Sequence, residues 1–150
     1  MTAIPFKRSD GGRALSGFRG TAGDCVTRAV AIASGRPYLE IYNRLSDGMR
    51  SQRRSKRGRP GVSARDGVST SRKWFKDYMT ELGAVWTPTM AIGTGCIVHV
   101  REGELPPGRL VLNLSRHCAA VVDGVLFDLS DCSRDGTRCV YGYWRFPEPA

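Results

Sequence analysis

No run in this chain of 150 residues approaches the roughly 18 consecutive apolar residues of a membrane-spanning helix, so no membrane partner is expected. The first 18 residues are basic but lack the apolar core of a secretory signal, and the expected location is cytoplasmic. Histidine is scarce, with two in the chain, and no Cys-x-x-Cys pair occurs, which leaves little from which to build a zinc site. His99 lies three residues after Cys96, but strand alternation would put the two on opposite faces, and it would also separate His117 from Cys118. No metal and no cofactor is therefore expected. The five cysteines (Cys25, Cys96, Cys118, Cys132, Cys139) are odd in number and lack framework spacing, so they read as free thiols of a reducing compartment.

Acidic residues are missing from one stretch. Residues 50 to 59, Arg-Ser-Gln-Arg-Arg-Ser-Lys-Arg-Gly-Arg, hold six basic side chains and no acidic one, whereas the rest of the chain carries seventeen basic residues against fourteen acidic. Most of the formal charge of +9 is thus one local tract. From Val100 onward six basic residues meet seven acidic ones, which offers no continuous electrostatic groove. A nucleic acid or an acidic partner would have to bind Arg50, Arg53, Arg54, Lys56, Arg57 and Arg59.

What is present suits one soluble domain over residues 1–150, with 41% hydrophobic and 25% charged residues. Residues 1–22, rich in Gly, Ser and Arg, read as an extended arm with no regular element. Asp24 is placed to N-cap a helix in which Val26, Ala29, Val30 and Ala33 share one face, and Gly35 stops it. A second, short helix starts after Pro37 with Tyr38, Ile41, Tyr42 and Leu45 on one face. Residues 49–69 carry the tract and read as a mobile basic loop. A third helix, capped by Thr70 or Ser71 and stopped by Gly83, presents Trp74, Phe75, Tyr78, Met79 and Leu82 to a core. Beyond it the period falls to two, with short runs at 84–86, 96–100, 110–114, 118–122, 125–129 and 139–146 that suggest a six-stranded antiparallel sheet. Helices first and a sheet afterwards make the chain α+β. Arg109 opens one of these strands with no role assigned, and Trp86, Trp144, Tyr141 and Tyr143 read as packing rather than as a cleft lining.

Asp123-Gly124 is the sharpest local signal, since both residues accept the positive φ of a type I′ hairpin turn. That turn sets Val122 opposite Val125, Val121 opposite Leu126 and Ala120 opposite Phe127, and it places Asp128 on the face of His117 and diagonal to it, about 7 Å away between backbones. The register selects Asp128 over Asp123 and Asp131 as the carboxylate that orients His117, and a slip of one residue would reverse the choice.

Cys25 opens the first helix, where unpaired backbone N–H groups and the helix dipole favour a thiolate. A histidine held by a carboxylate and able to reach that sulfur is the minimum for thiol catalysis. With Asp24-Cys25 on an apolar helix, Ser115-Arg116-His117 entering a strand and Asp128 on the next, the chain resembles the papain-like cysteine peptidase superfamily. It is most similar to small bacterial and phage members carrying Asp-Cys-Val-x-Arg-Ala, a histidine followed by Ala-Val-x-Asp-Gly, and Val-Tyr-Gly-Tyr-Trp, here Val140 to Trp144. The resemblance implies a papain-like fold and a thiol hydrolase, a cysteine peptidase or isopeptidase acting on a peptide or protein substrate. Its nucleophile would be Cys25, its base and acid His117, its orienting carboxylate Asp128. Such enzymes usually carry a glutamine upstream of the cysteine to bind the oxyanion; none precedes Cys25, and Arg19 or Thr21 would have to stand in. The same three residues would serve a glutamine deamidase or a transglutaminase-like acyl transferase. From a different class, a non-catalytic protein could bind nucleic acid or a partner through the tract.

Overall fold

Leu110, Leu112 and Leu114 point to one side of a strand and Val111 to the other, and all four are buried, so this strand must lie in a sheet covered on both faces. The computed structural model describes residues 3–18, 23–51, 68–91 and 93–148. In chain order it shows β1 (Phe6–Arg8), α1 (Cys25–Ser34), α2 (Tyr38–Ser51), α3 (Lys73–Glu81), β2 (Val85–Pro88), β3 (Arg109–Leu114), β4 (His117–Val122), β5 (Val125–Asp128) and β6 (Gly142–Phe146). The strands form one sheet in the order β1-β5-β4-β3-β6-β2. The fold is α+β.

One face of the sheet contributes Val111, Cys118, Ala120, Trp144 and Phe146 to a core shared with the three helices. The opposite face contributes Leu110, Leu112, Leu114, Ala119, Val121 and Leu126, which pack against Ile4, Val100 and Val140. The arm and the segment before β3 thus supply part of the second cover. No helix among the described residues is long and apolar enough to cross a membrane.

Five expectations about the elements need correction. Residues 1–22 are not without an element: β1 pairs in parallel with β5 through Phe6↔Leu126 and Arg8↔Asp128, and turns follow it. The sheet is therefore not wholly antiparallel. Residues 96–100 supply no strand, only an isolated bridge between His99 and Cys139, because Gly93, Gly95 and Gly103 bend the surrounding backbone through positive φ. Residues 139–141 likewise precede β6 rather than belong to it. The second helix is 14 residues long and runs to Ser51, so residues 49 to 51 of the expected basic loop are helical, while residues 52–67 lie outside the described residues.

The helix ends show how the chain is fixed. Gly35 closes α1 in the left-handed region (φ 74) and donates its N–H to the Ala31 carbonyl. Arg109, the strand residue without an assigned role, donates from Nε to the Ala33 carbonyl at 2.7 Å and from Nη2 to the Ile32 carbonyl at 3.1 Å. It thereby sets a cation on the negative end of the helix and ties that end to the sheet. At the other end Asp24 makes no side-chain cap. Nor do Thr70 and Ser71 cap α3, whose N-cap position is Arg72. Between α2 and α3, Gly48 admits the Trp74 ring so closely that a Cβ there would lie 2.2 Å from a ring carbon.

Candidate active site

The hairpin forms in the expected register, with Ala120↔Phe127, Val121↔Leu126 and Val122↔Val125 paired, and Asp123 (φ 47) and Gly124 (φ 81) in the turn. Continuing it brings Asp128 to His117, whose Nε2 lies 2.5 Å from Asp128 Oδ2. The other two aspartates are engaged elsewhere: Asp123 Oδ1 accepts the Gly108 N–H at 3.0 Å, and Asp131 Oδ1 accepts the Ser133 N–H at 2.9 Å. Asp128 Oδ1 accepts its neighbour Leu129 N–H at 2.7 Å and faces Arg28 Nη2 at 3.6 Å. Each carboxylate oxygen is thus committed, and the carboxylate can hold only one ring orientation.

His117 opens β4 directly after a two-residue turn in which Arg116 takes φ 55. From the end of the strand its ring reaches a cavity of about 770 Å³ whose lining includes Cys25, His117, Cys118, Asn113, Trp86 and Tyr141. Cys25 enters the same cavity from the first position of α1. With Nε2 given to Asp128, Nδ1 is the ring nitrogen left for sulfur.

The charges are strongly coupled here. The Cys25 thiol is held well below its ordinary value, first by the hydrogen bond of the Cys118 side chain and, against burial, by His117. Cys118 moves the opposite way, pushed up by Cys25 beside it and by burial. His117 is pushed up to about 11, chiefly by Asp128, then by Cys132 and Cys25. Burial works to raise Asp128, and the hydrogen bond and charge of His117 outweigh it, so the carboxylate sits below its usual range. At neutral pH these directions give a thiolate, an imidazolium and a carboxylate in line.

Behind the line lies a buried ion network that sequence reasoning assigned to capping. Asp24, 1% exposed, pairs with Arg28, lies 3.5 Å from Arg13 Nη1 and accepts the Tyr38 hydroxyl at 2.5 Å. Arg28 then bridges Asp24 to Asp128. One turn of helix separates Asp24 from Arg28, so the start of α1 and the β5 carboxylate are locked together through a single guanidinium.

Cys132, a free half-buried thiol, was missed. Ligand atoms of His117, Asp128 and Cys132 lie within 4.8 Å of one another, a donor set able to hold a zinc-type cation, which the sequence did not lead one to expect. The loop that returns Cys132 carries an Asx turn at Asp131, a local device with no long-range register to read. Three further expectations change. Trp144 and Tyr143 pack, but Trp86 and Tyr141 are exposed and line the cavity, with Trp86 lying against Gly142 so closely that a Cβ there would meet its ring. Cys96 and Cys139 are not free thiols: they form a disulfide with a Cα–Cα distance of 5.9 Å, which leaves Cys25, Cys118 and Cys132 free. Cys96 and His99 are not on opposite faces either, because no strand forms there and Cys96 Sγ lies 3.5 Å from His99 Nε2. Of the expected anion contacts, Arg50 is exposed in the last turn of α2 and pairs with Asp47 at 2.8 Å. Arg53, Arg54, Lys56, Arg57 and Arg59, and the oxyanion candidates Arg19 and Thr21, lie outside the described residues. No family model, no curated protein and no solved structure matches this chain.

Proposed function

We propose that the chain is a thiol hydrolase of papain-like architecture, cleaving an amide or isopeptide bond of a peptide or protein substrate in the cavity between α1 and β4. The observation that carries this reading is the line Cys25, His117, Asp128, with the ring fixed by Asp128 at 2.5 Å and the sulfur at a helix start. Cys25 attacks the carbonyl carbon, and the oxyanion forms beside the unpaired N–H groups of the first turn of α1. His117 gives its proton to the leaving amine, a thioester remains on Cys25, and water attacks it as His117 takes a proton back. An amine acceptor in place of water would make the same site an acyl transferase.

The test is capture by a peptidyl chloromethyl ketone, which needs a thiolate and a neighbouring imidazole rather than a known substrate. A single adduct is expected on Cys25, lost in Cys25→Ala and strongly slowed in His117→Ala. Preferential capture on Cys118 or Cys132, or an unchanged rate in His117→Ala, would overturn the assignment.

A further inference from the structure

The second histidine also stands between a carboxylate and sulfur, away from the cavity. His99 Nδ1 lies 3.1 Å from Glu104 Oε1, and Glu104 Oε2 is held by Arg101 Nε at 2.7 Å. Nε2 is therefore the nitrogen turned towards Cys96 Sγ, at 3.5 Å. Cys96 is exposed and its disulfide partner Cys139 is half-buried. Backbone bonds hold the two segments together without the disulfide: Val140 N–H to the Val98 carbonyl at 2.8 Å and Val100 N–H to the Arg138 carbonyl at 2.9 Å, around the bridge of His99 with Cys139. The sulfurs can thus part and rejoin while the backbone stays in place.

We propose that Cys96 and Cys139 form a thiol–disulfide exchange centre for small disulfides and dithiols, with Cys96 as the exchanging sulfur, His99 as its proton acceptor and Glu104 as the positioning residue. In the oxidising direction Cys96 gives its proton to His99 and its thiolate attacks one sulfur of an external disulfide, expelling the other half as a thiolate. Cys139 then loses its proton and attacks Cys96 Sγ, expelling the second half, and the bond seen in the structure forms. Two thiols of the protein are oxidised and one external disulfide is reduced to two thiols. An external dithiol runs the same steps backwards, entering at the exposed sulfur. The arrangement of one exposed sulfur with an imidazole beside it and one half-buried resolving sulfur gives the exchange its direction.

The experiment uses oxidised glutathione on the reduced full chain, in a Cys25→Ala background so that the other activated thiol does not compete. In Cys139→Ser a stable glutathione adduct is expected on Cys96, located by peptide mass mapping. Adding His99→Asn should slow its formation about tenfold near neutral pH, since the gain in thiolate fraction exceeds the loss of nucleophilicity. Glu104→Gln should slow it less, and unchanged thermal midpoints show that the variants are folded. An equally fast adduct on Cys139 in Cys96→Ser, or rates indifferent to both His99→Asn and Glu104→Gln, would overturn the proposal.

Discussion

His117 and His99 each pair with a carboxylate beside sulfur, and what holds the two pairs in place differs at every level. His117 and Asp128 are eleven residues apart on paired strands, meet at 2.5 Å, and the carboxylate is 5% exposed. His99 and Glu104 are five residues apart in an irregular segment, meet at 3.1 Å, and both side chains are about a quarter exposed. In the first case the sheet and a buried arginine fix the geometry, and burial makes each charge depend on the next. In the second a loop brings the groups together and water screens them, so each can change state with little effect on the fold.

The largest expected contrast is in stability. Asp24→Ala would remove the buried carboxylate that Arg28 and Arg13 share, leaving Arg28 with only its longer contact to Asp128, at a cost of about 3–5 kcal/mol. For a domain of this size that lowers the thermal midpoint by roughly 10 °C. Glu104→Gln removes a partly solvated carboxylate and should cost less than about 1 kcal/mol. Thermal unfolding of the two variants side by side checks this, and equal losses would erase the distinction between a buried and a screened pair.

Next comes the reactivity of Cys25. Asp128→Asn weakens the hold on the imidazolium that faces the thiolate, so iodoacetamide alkylation of Cys25 near neutral pH should slow by about tenfold, equivalent to 1.4 kcal/mol. Asp131→Asn, whose carboxylate only caps a turn, should leave the rate as it is. The reverse pattern would mean that the register is off by one residue and that Asp128 is not the orienting group.

The same pair predicts a smaller effect with a definite sign. His117, raised from 6.5 to about 11, contributes stability that is full below 6.5 and is lost as pH rises through 11. Cys25, lowered from 9.0, contributes stability that is full above 9.0 and is lost as pH falls through its lowered value. Between 6.5 and 9.0 folding moves a proton from thiol to ring with no net uptake, so stability from this pair is level. Above 9.0 the folded chain keeps a proton that the unfolded chain has lost, and below 6.5 the unfolded chain binds one more, so stability falls on both sides. The raised Cys118 steepens the alkaline side. Urea unfolding at pH of about 5.5, 7.5 and 10 reads the profile; in Cys25→Ser the acid-side slope contributed by Cys25 should vanish, and its persistence there would show that Cys25 is not the group responsible.

The sequence was legible where one physical rule dominates. Alternation and the Asp-Gly turn gave the β4–β5 register, and with it the meeting of His117 and Asp128 across the hairpin. The apolar face of the third helix and the Gly35 stop were equally readable, since each depends on neighbours within a turn or two. Asp24 was misread because an N-cap and a buried ion-pair centre use the same residue type, and only tertiary packing decides between them. The β1 strand was missed because three residues, Phe6 to Arg8, all exposed, carry no alternation. Cys96 with His99 was misread because alternation was applied to a segment whose glycines break it, so two groups assigned to opposite faces stand 3.5 Å apart.

The smallest expected effect tests the hairpin on which the site depends. Asp123 occupies the first turn position at φ 47, a conformation that asparagine adopts as readily, and its Oδ1 accepts the Gly108 N–H at 3.0 Å. An asparagine side chain at this position would present the same oxygen to the same donor, so Asp123→Asn should change stability by no more than about 0.5 kcal/mol. Because the turn keeps its geometry, Asp128 stays diagonal to His117 and the alkylation rate of Cys25 should match the wild type. Asp123→Val is the counterpart, because a β-branched residue resists positive φ and removes the acceptor, and it should strain the turn by about 1–3 kcal/mol. If Asp123→Asn slowed Cys25 while Asp123→Val did not, the carboxylate charge at the turn rather than the register would govern the site. Loss in Asp123→Val alone would instead tie the reactivity of Cys25 to a two-residue turn on the far end of the strand that carries His117.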